Sequence, residues 1–106
     1  MSDAKCVLGL PKTVLDVVCA VCADYDRRRQ IKSTDVTILT RCSELNDIID
    51  QALLVVDTGL RLIILNDVKY NSGYKHSTAS TMCSPKYYYK EKRLFVKKVA
   101  QGMFLI

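Results

Sequence analysis

The sequence predicts an all-α protein. Apolar residues recur at three- and four-residue spacing through several long stretches, the period of a helix with one buried face. Two of those stretches open with a proline at or near the first helical position, where its missing N–H is harmless. With two Pro, four Gly and no Trp in 106 residues, and 49% hydrophobic content, the chain has enough apolar material for a core and few of the breakers that a loop-rich protein needs. The order of the stretches predicts an N-terminal antiparallel helical hairpin over residues 1–57, followed by a small three-helix unit over 58–106.

Residues 1–9 read as a loosely docked arm. Leu10-Pro11-Lys12-Thr13 opens the first helix, in which Val14, Val17/Val18, Val21/Cys22 and Tyr25 mark one face. Arg27-Arg28-Arg29 closes it, cations at the negative end of the helix dipole. Val14–Ala23 is too short to span a bilayer, is interrupted by Asp16, and carries its basic cluster on the wrong side for a secretory signal.

Ser33-Thr34-Asp35 is a capping sequence, and a second helix is expected from about Asp35 to Val56. Its stripe is Val36, Leu39, Leu45/Ile48/Ile49 and Ala52/Leu53/Val56. The short connection makes these two helices an antiparallel pair. Asp57-Thr58-Gly59 breaks the chain. Leu60–Val68 is expected as a third helix, apolar on most sides and so buried on most sides; a strand at Leu62–Leu65 is the rival, over which length and the lack of alternation favour the helix. Asn71-Ser72-Gly73 is a turn, and Ser77–Cys83 supplies one or two helical turns.

The last helix, 85–101, has the clearest start: Ser84 as N-cap and Pro85 at the first helical position. At 100° per residue, Tyr88, Phe95, Val96, Val99 and Met103 fall on one side. Lys86, Lys90, Arg93 and Lys97 form a stripe on the other, at i, i+4, i+7 and i+11. Lys86–Lys98 holds six basic residues and one acid, Glu91. The net charge of the whole chain is +5, so the excess belongs to this helix and the remainder balances. A pI near 9.0 with the charge gathered in one place points to a polyanion, nucleic acid before membrane.

Catalytic and metal motifs are thin. The lone His76 sits in Gly73-Tyr-Lys-His-Ser with no acid close in sequence, and Ser77 and Ser80 lie in no nucleophile motif. Cys19 and Cys22 share C-x-x-C spacing, but no second pair accompanies them and both lie in an apolar helical run, where Cys is a small hydrophobe. No enzyme activity, cofactor or metal is expected. The five Cys read as free thiols, hence a reducing compartment, the cytoplasm.

The short segment Ser77–Cys83, a tight turn and then a basic helix is the layout of a helix-turn-helix. Ser84, Lys86, Tyr87, Lys90, Arg93 and Lys97 are the candidate DNA contacts, with Lys75 and His76 in the preceding loop and Arg27 and Arg28 as a second phosphate anchor. The competing class is a helical adaptor or an assembly and packaging factor whose basic helix meets an acidic protein surface.

Ser84-Pro-Lys-Tyr-Tyr-Tyr-Lys-Glu-Lys-Arg-Leu-Phe-Val-Lys-Lys-Val-Ala, followed by Gly102-Met-Phe-Leu-Ile, resembles the end of phage-encoded late-gene transcriptional regulators of the ArpU/RinA type. Their closing helix reads Ser-x-x-x-(aromatic)-Tyr-Arg-x-Lys-Arg-x-(apolar)-x-x-(apolar)-Ala. Asp24-Tyr-Asp-Arg-Arg and Leu45-Asn-Asp-Ile-Ile-Asp-Gln-Ala-Leu fit the same layout more loosely, and the Gly usual in the family's turn is absent from Ala79–Ser84. The resemblance implies a C-terminal helix-turn-helix similar to region 4 of sigma factors and duplex DNA as ligand. It places Ser84, Lys86, Tyr87, Lys90 and Arg93 toward DNA, and Tyr88, Phe95 and Val99 in the core. The 1–57 hairpin is expected to mediate dimerisation or contact with RNA polymerase.

Overall fold

Pro11 precedes the first helix, α1 (Lys12–Ala23), whose Leu15, Val18 and Cys22 are buried at helical spacing. The computed structural model describes residues 9–106; apart from Gly9, the expected N-terminal arm lies outside them. Asp24 interrupts the predicted first helix, and α2 (Tyr25–Gln30) restarts directly after it. The long α3 (Val36–Leu53) is capped by Asp35, whose carboxylate accepts from the backbone N–H groups of Thr37 and Ile38. A 3₁₀ turn (Thr58–Leu60) leads into α4 (Arg61–Lys69), and α5 (Pro85–Gly102) closes the fold. All regular structure among the described residues is helical, and no helix there is long and apolar enough to cross a membrane.

The helices do not pair as the hairpin reading expects. The six-residue α2 lies on α3, where Tyr25 donates to Asp50 at 2.5 Å and Arg28 reaches Asn46. The longer α1 packs against α4 and α5, and α3 against α5. Residues on both sides of position 57 therefore share one core: Leu15, Val18 and Cys22 from α1, Ile49 and Ala52 from α3, Ile64 and Val68 from α4, and Tyr88, Phe95, Val96, Val99 and Ala100 from α5. The first two turns of α3 are left out of it. Val36, expected in the apolar stripe, is 73% exposed, and no residue of α3 before Asn46 is buried. α2 is too short to cover that far.

The stretch between α4 and α5 departs most from expectation. Asn71, at φ +53, ends α4 in a Schellman motif: Ser72 N donates to Asp67 O at 2.8 Å and Asn71 N to Val68 O at 3.3 Å. Two short 3₁₀ turns follow, Tyr74–His76 and Thr78–Thr81. Ser77 Oγ accepts from Ala79 N, and Thr81 Oγ1 donates to Thr78 O. Such local side-chain bonds draw the backbone away from an α-helix. The supporting helix that a helix-turn-helix requires is not formed, and α4 and α5 are joined by residues 70–84 rather than by a turn of three or four.

α3 and α5 run antiparallel, with Asp57 beside Glu91 at one end and Ile48 beside Gly102 at the other. A Cβ on Gly102 would stand 2.7 Å from Ile48 Cγ2, so this closeness needs glycine. The helix ends in a second Schellman motif, with Phe104 N donating to Gln101 O at 3.1 Å and Leu105 N to Ala100 O at 2.9 Å. Phe104 holds the left-handed position at φ +60, where a residue with a Cβ costs about 1–2 kcal/mol, and its ring is 93% exposed.

Because that ring makes so little contact, Phe104→Gly relieves the strain at almost no packing loss. After allowing for glycine's greater freedom in the unfolded chain, the substitution raises unfolding free energy by roughly 0.5–1 kcal/mol, read as an increased urea midpoint at unchanged m-value.

Candidate functional site

α5 is held in place before its outer face is considered. Ser84 Oγ accepts from Tyr87 N at 3.2 Å, which satisfies a first-turn amide. Tyr88 is wholly buried and donates to Asp67 Oδ2 at 2.7 Å. Tyr89 Oη accepts from Tyr74 N at 3.2 Å, tying the 3₁₀ turn that carries Lys75 and His76 to the start of α5.

Charge on α5 is sorted by side. Glu91 is buried, and its Oε1 accepts from Asp57 N at 2.7 Å, so the helix's one acid is withdrawn from the surface. Lys86, Lys90, Arg93, Lys97 and Lys98 are exposed. The ion pairs among the described residues are Lys12–Asp16, Arg27–Asp24, Arg28–Asp24 and Lys69–Asp26, none of them on α5. Lys90 Nζ lies 5.7 Å from the Tyr87 ring centroid, a cation–π contact that leaves its charge uncompensated. The Arg93 side chain runs past Gly9. Among the described residues no acid forms an ion pair with this outer row of cations, which is extended at its N-terminal end by the exposed Lys75 and His76.

Lys92 is a sixth cation of the helix and has another role. It is 7% exposed, donates from Nζ to Ser72 O at 2.6 Å and lies over the Tyr88 ring at 5.5 Å. Burial lowers its pKa, and Asp67 opposes that shift. The sequence reading counted Lys92 with the basic set, although at 100° per residue it falls among Tyr88, Val99 and Met103. That periodicity was the signal.

Four candidates are otherwise engaged. Arg28 is 6% exposed; its Nε donates to Asn46 Oδ1 at 2.8 Å and its Nη2 to Val21 O at 2.5 Å, while Asn46 Nδ2 donates to Tyr25 O at 3.1 Å. It joins α1, α2 and α3, and with its guanidinium turned inward it is not a surface phosphate contact. Its neighbour Arg27 is exposed but chelated by Asp24 through Nε and Nη2. Arg29 lies over the Tyr25 ring at 5.7 Å. Ser84 is occupied as a cap. Tyr87 donates its hydroxyl to Asp57 Oδ2 at 2.5 Å. That bond pushes the phenol up to about 12 and, with Gly59 N–H, holds the Asp57 carboxyl below the usual range.

Compared with protein-family models, curated proteins and solved structures, the chain matches none.

Two outcomes follow from this geometry. Arg28→Ala strands Asn46 and the Val21 carbonyl and lowers unfolding free energy by about 3 kcal/mol; Arg27→Ala, at the surface, leaves the urea midpoint nearly unchanged. Parallel urea titrations make the comparison. The second outcome concerns pH. Because Asp57's folded pKa lies below its unfolded value, its stabilising contribution is present above the unfolded pKa and is lost as pH falls through the folded one. Tyr87→Phe moves the Asp57 titration upward toward the ordinary carboxylate range in a carboxyl-detected NMR titration, and flattens the acid limb of the stability profile.

Proposed function

We propose that this chain is a DNA-binding protein that holds duplex DNA against the outer face of α5, and that it serves as a phage or prophage transcriptional regulator. One observation carries the DNA reading. Five exposed cations stand on one helix with no acid among the described residues ion-paired to them, while the same helix buries its only acid. Lys86/Lys90, Lys90/Arg93 and Arg93/Lys97 are like-charge neighbours at i+3 or i+4, each costing the isolated helix a few tenths of a kcal/mol. A polyanion spanning the row turns that repulsion into attraction.

The regulator assignment is supported by the resemblance of Ser84–Ala100 to ArpU/RinA-type late-gene regulators. On this reading Lys86, Lys90, Arg93 and Lys97 contact phosphates, Lys75 and His76 extend the contact past the start of α5, and Arg27 is a weaker anchor. Sigma-like docking is not part of the proposal, because residues 70–84 lack the supporting helix. Phosphate contacts then dominate, and sequence preference is correspondingly modest. The protein partner on this reading is a second copy of the chain or RNA polymerase, and the compartment is the cytoplasm.

A second reading has its own observation. Leu94, within the basic face, is 40% exposed, and Leu54 and Val55 are exposed at the end of α3. Apolar residues among cations suit an adaptor that meets an acidic protein surface. Duplex titration separates the two. Four or five phosphate contacts give log K against log salt a slope of about −4. Lys90→Ala/Lys97→Ala, both exposed, lowers affinity and flattens the slope by about 2 at unchanged helicity. Salt-independent or absent binding to duplex DNA, with an intact fold, favours the adaptor.

A further inference from the structure

Phe104 joins three properties that the fold itself does not require. Its backbone is strained at φ +60, its ring is 93% exposed, and it is held in place. The two Schellman hydrogen bonds fix the turn, and Leu105 packs against the core just beyond it. Fraying would relieve the strain, yet the turn is anchored on the far side of the ring. Ile106, also exposed, adds apolar surface next to it.

We propose that Phe104 is an apolar wedge that enters the base stack of a duplex lying against α5, unstacking one step and bending the DNA. This rests on the reading of α5 as the DNA-binding face. The occupant follows from charge. Lys97 and Lys98 lie on the same helix, Lys97 about 10 Å along the axis before Phe104 at 1.5 Å per residue. A backbone drawn to those lysines therefore brings a neighbouring base step within reach of the ring. Proteins that kink DNA insert Phe, Leu, Ile or Met in this way, and offset the unstacking with the phosphate contacts that the bend allows. A duplex fits better than a single strand, whose binders stack successive bases on several aromatics. The other rings of α5 are spoken for: Tyr88 is buried on Asp67, Tyr87 is bonded to Asp57 and Tyr89 to Tyr74.

The test uses the full chain and a roughly 25-base-pair duplex carrying 2-aminopurine at a central T-A step, the kind of step that kinks most readily. Anisotropy reports binding and 2-aminopurine emission reports unstacking. Bound wild-type protein raises the emission about twofold or more. Phe104→Ala, whose fold is checked by circular dichroism, still binds with a salt-dependent affinity but loses roughly tenfold in affinity and leaves the emission flat. Phe104→Leu retains part of the rise. Flat emission with bound wild-type protein, or a rise that survives in Phe104→Ala, overturns the wedge while the α5 reading stands. If the wild type does not bind duplex DNA at low salt, both fall.

Discussion

The fold depends on a phenol buried against a carboxylate. Tyr88 is fully enclosed, and its hydroxyl donates to Asp67 on α4, itself buried. A carboxylate in that position is costly unless its charge is met. Here it is met by the Tyr88 hydroxyl and by Lys92, whose ammonium lies over the same ring and bonds the Ser72 carbonyl. That carbonyl belongs to the Schellman turn ending α4 at Asn71. Helix end, buried acid, phenol and lysine thus form one connected unit. It fixes α4 on α5 in a single register, since sliding either helix would leave a buried charge without its partner.

The same sorting accounts for the outer face. Charged residues of α5 that point inward each have a partner: Glu91 has the Asp57 amide and Lys92 has Ser72. The cations that point outward have none among the described acids. Several nearby acids are engaged, with Asp24 on Arg27, Asp26 on Lys69 and Asp50 on Tyr25, while Asp57 accepts from the Tyr87 hydroxyl of α5 and not from one of its cations. A surface of mixed charge would have been easier to hold together, and the separation leaves α5 with a positive outer face that its packing does not require.

Helix content, the cap at Ser84 and the inward positions of Tyr88, Phe95 and Val99 were all legible in the sequence, because periodicity and capping act within a few residues of one another. Three things were not. The pairing of α1 with α4 and α5 instead of α3 depends on how the short α2 turns at Asp24, which no local pattern encodes. The polar stretch 70–84 contains cap-type residues that suit a helix start equally well, and its outcome was decided by Ser77 and Thr81 bonding their own backbone. The Arg27–Arg29 triplet reads as one basic cluster but divides three ways, because consecutive helical residues diverge by about 100°. Arg27 faces solvent and Asp24, Arg28 faces the core, and Arg29 covers Tyr25.

What replaces a supporting helix in fixing the basic face is attachment at both ends of α5. At its start, the Ser84 cap, the Tyr87–Asp57 bond and the Tyr74–Tyr89 bond hold the first turns from three directions. At its end, Gly102 lets the backbone close onto Ile48, and Leu105 folds back onto the core. The row of lysines therefore stands on a rod whose backbone has no order left to gain, so a ligand's interaction energy is drawn on only by the side chains it immobilises. An arm or an independent helix carrying the same residues would lose additional backbone entropy on binding. On the proposed reading, the rigidity of this helix, as much as its charge, suits it to a regular array of phosphates.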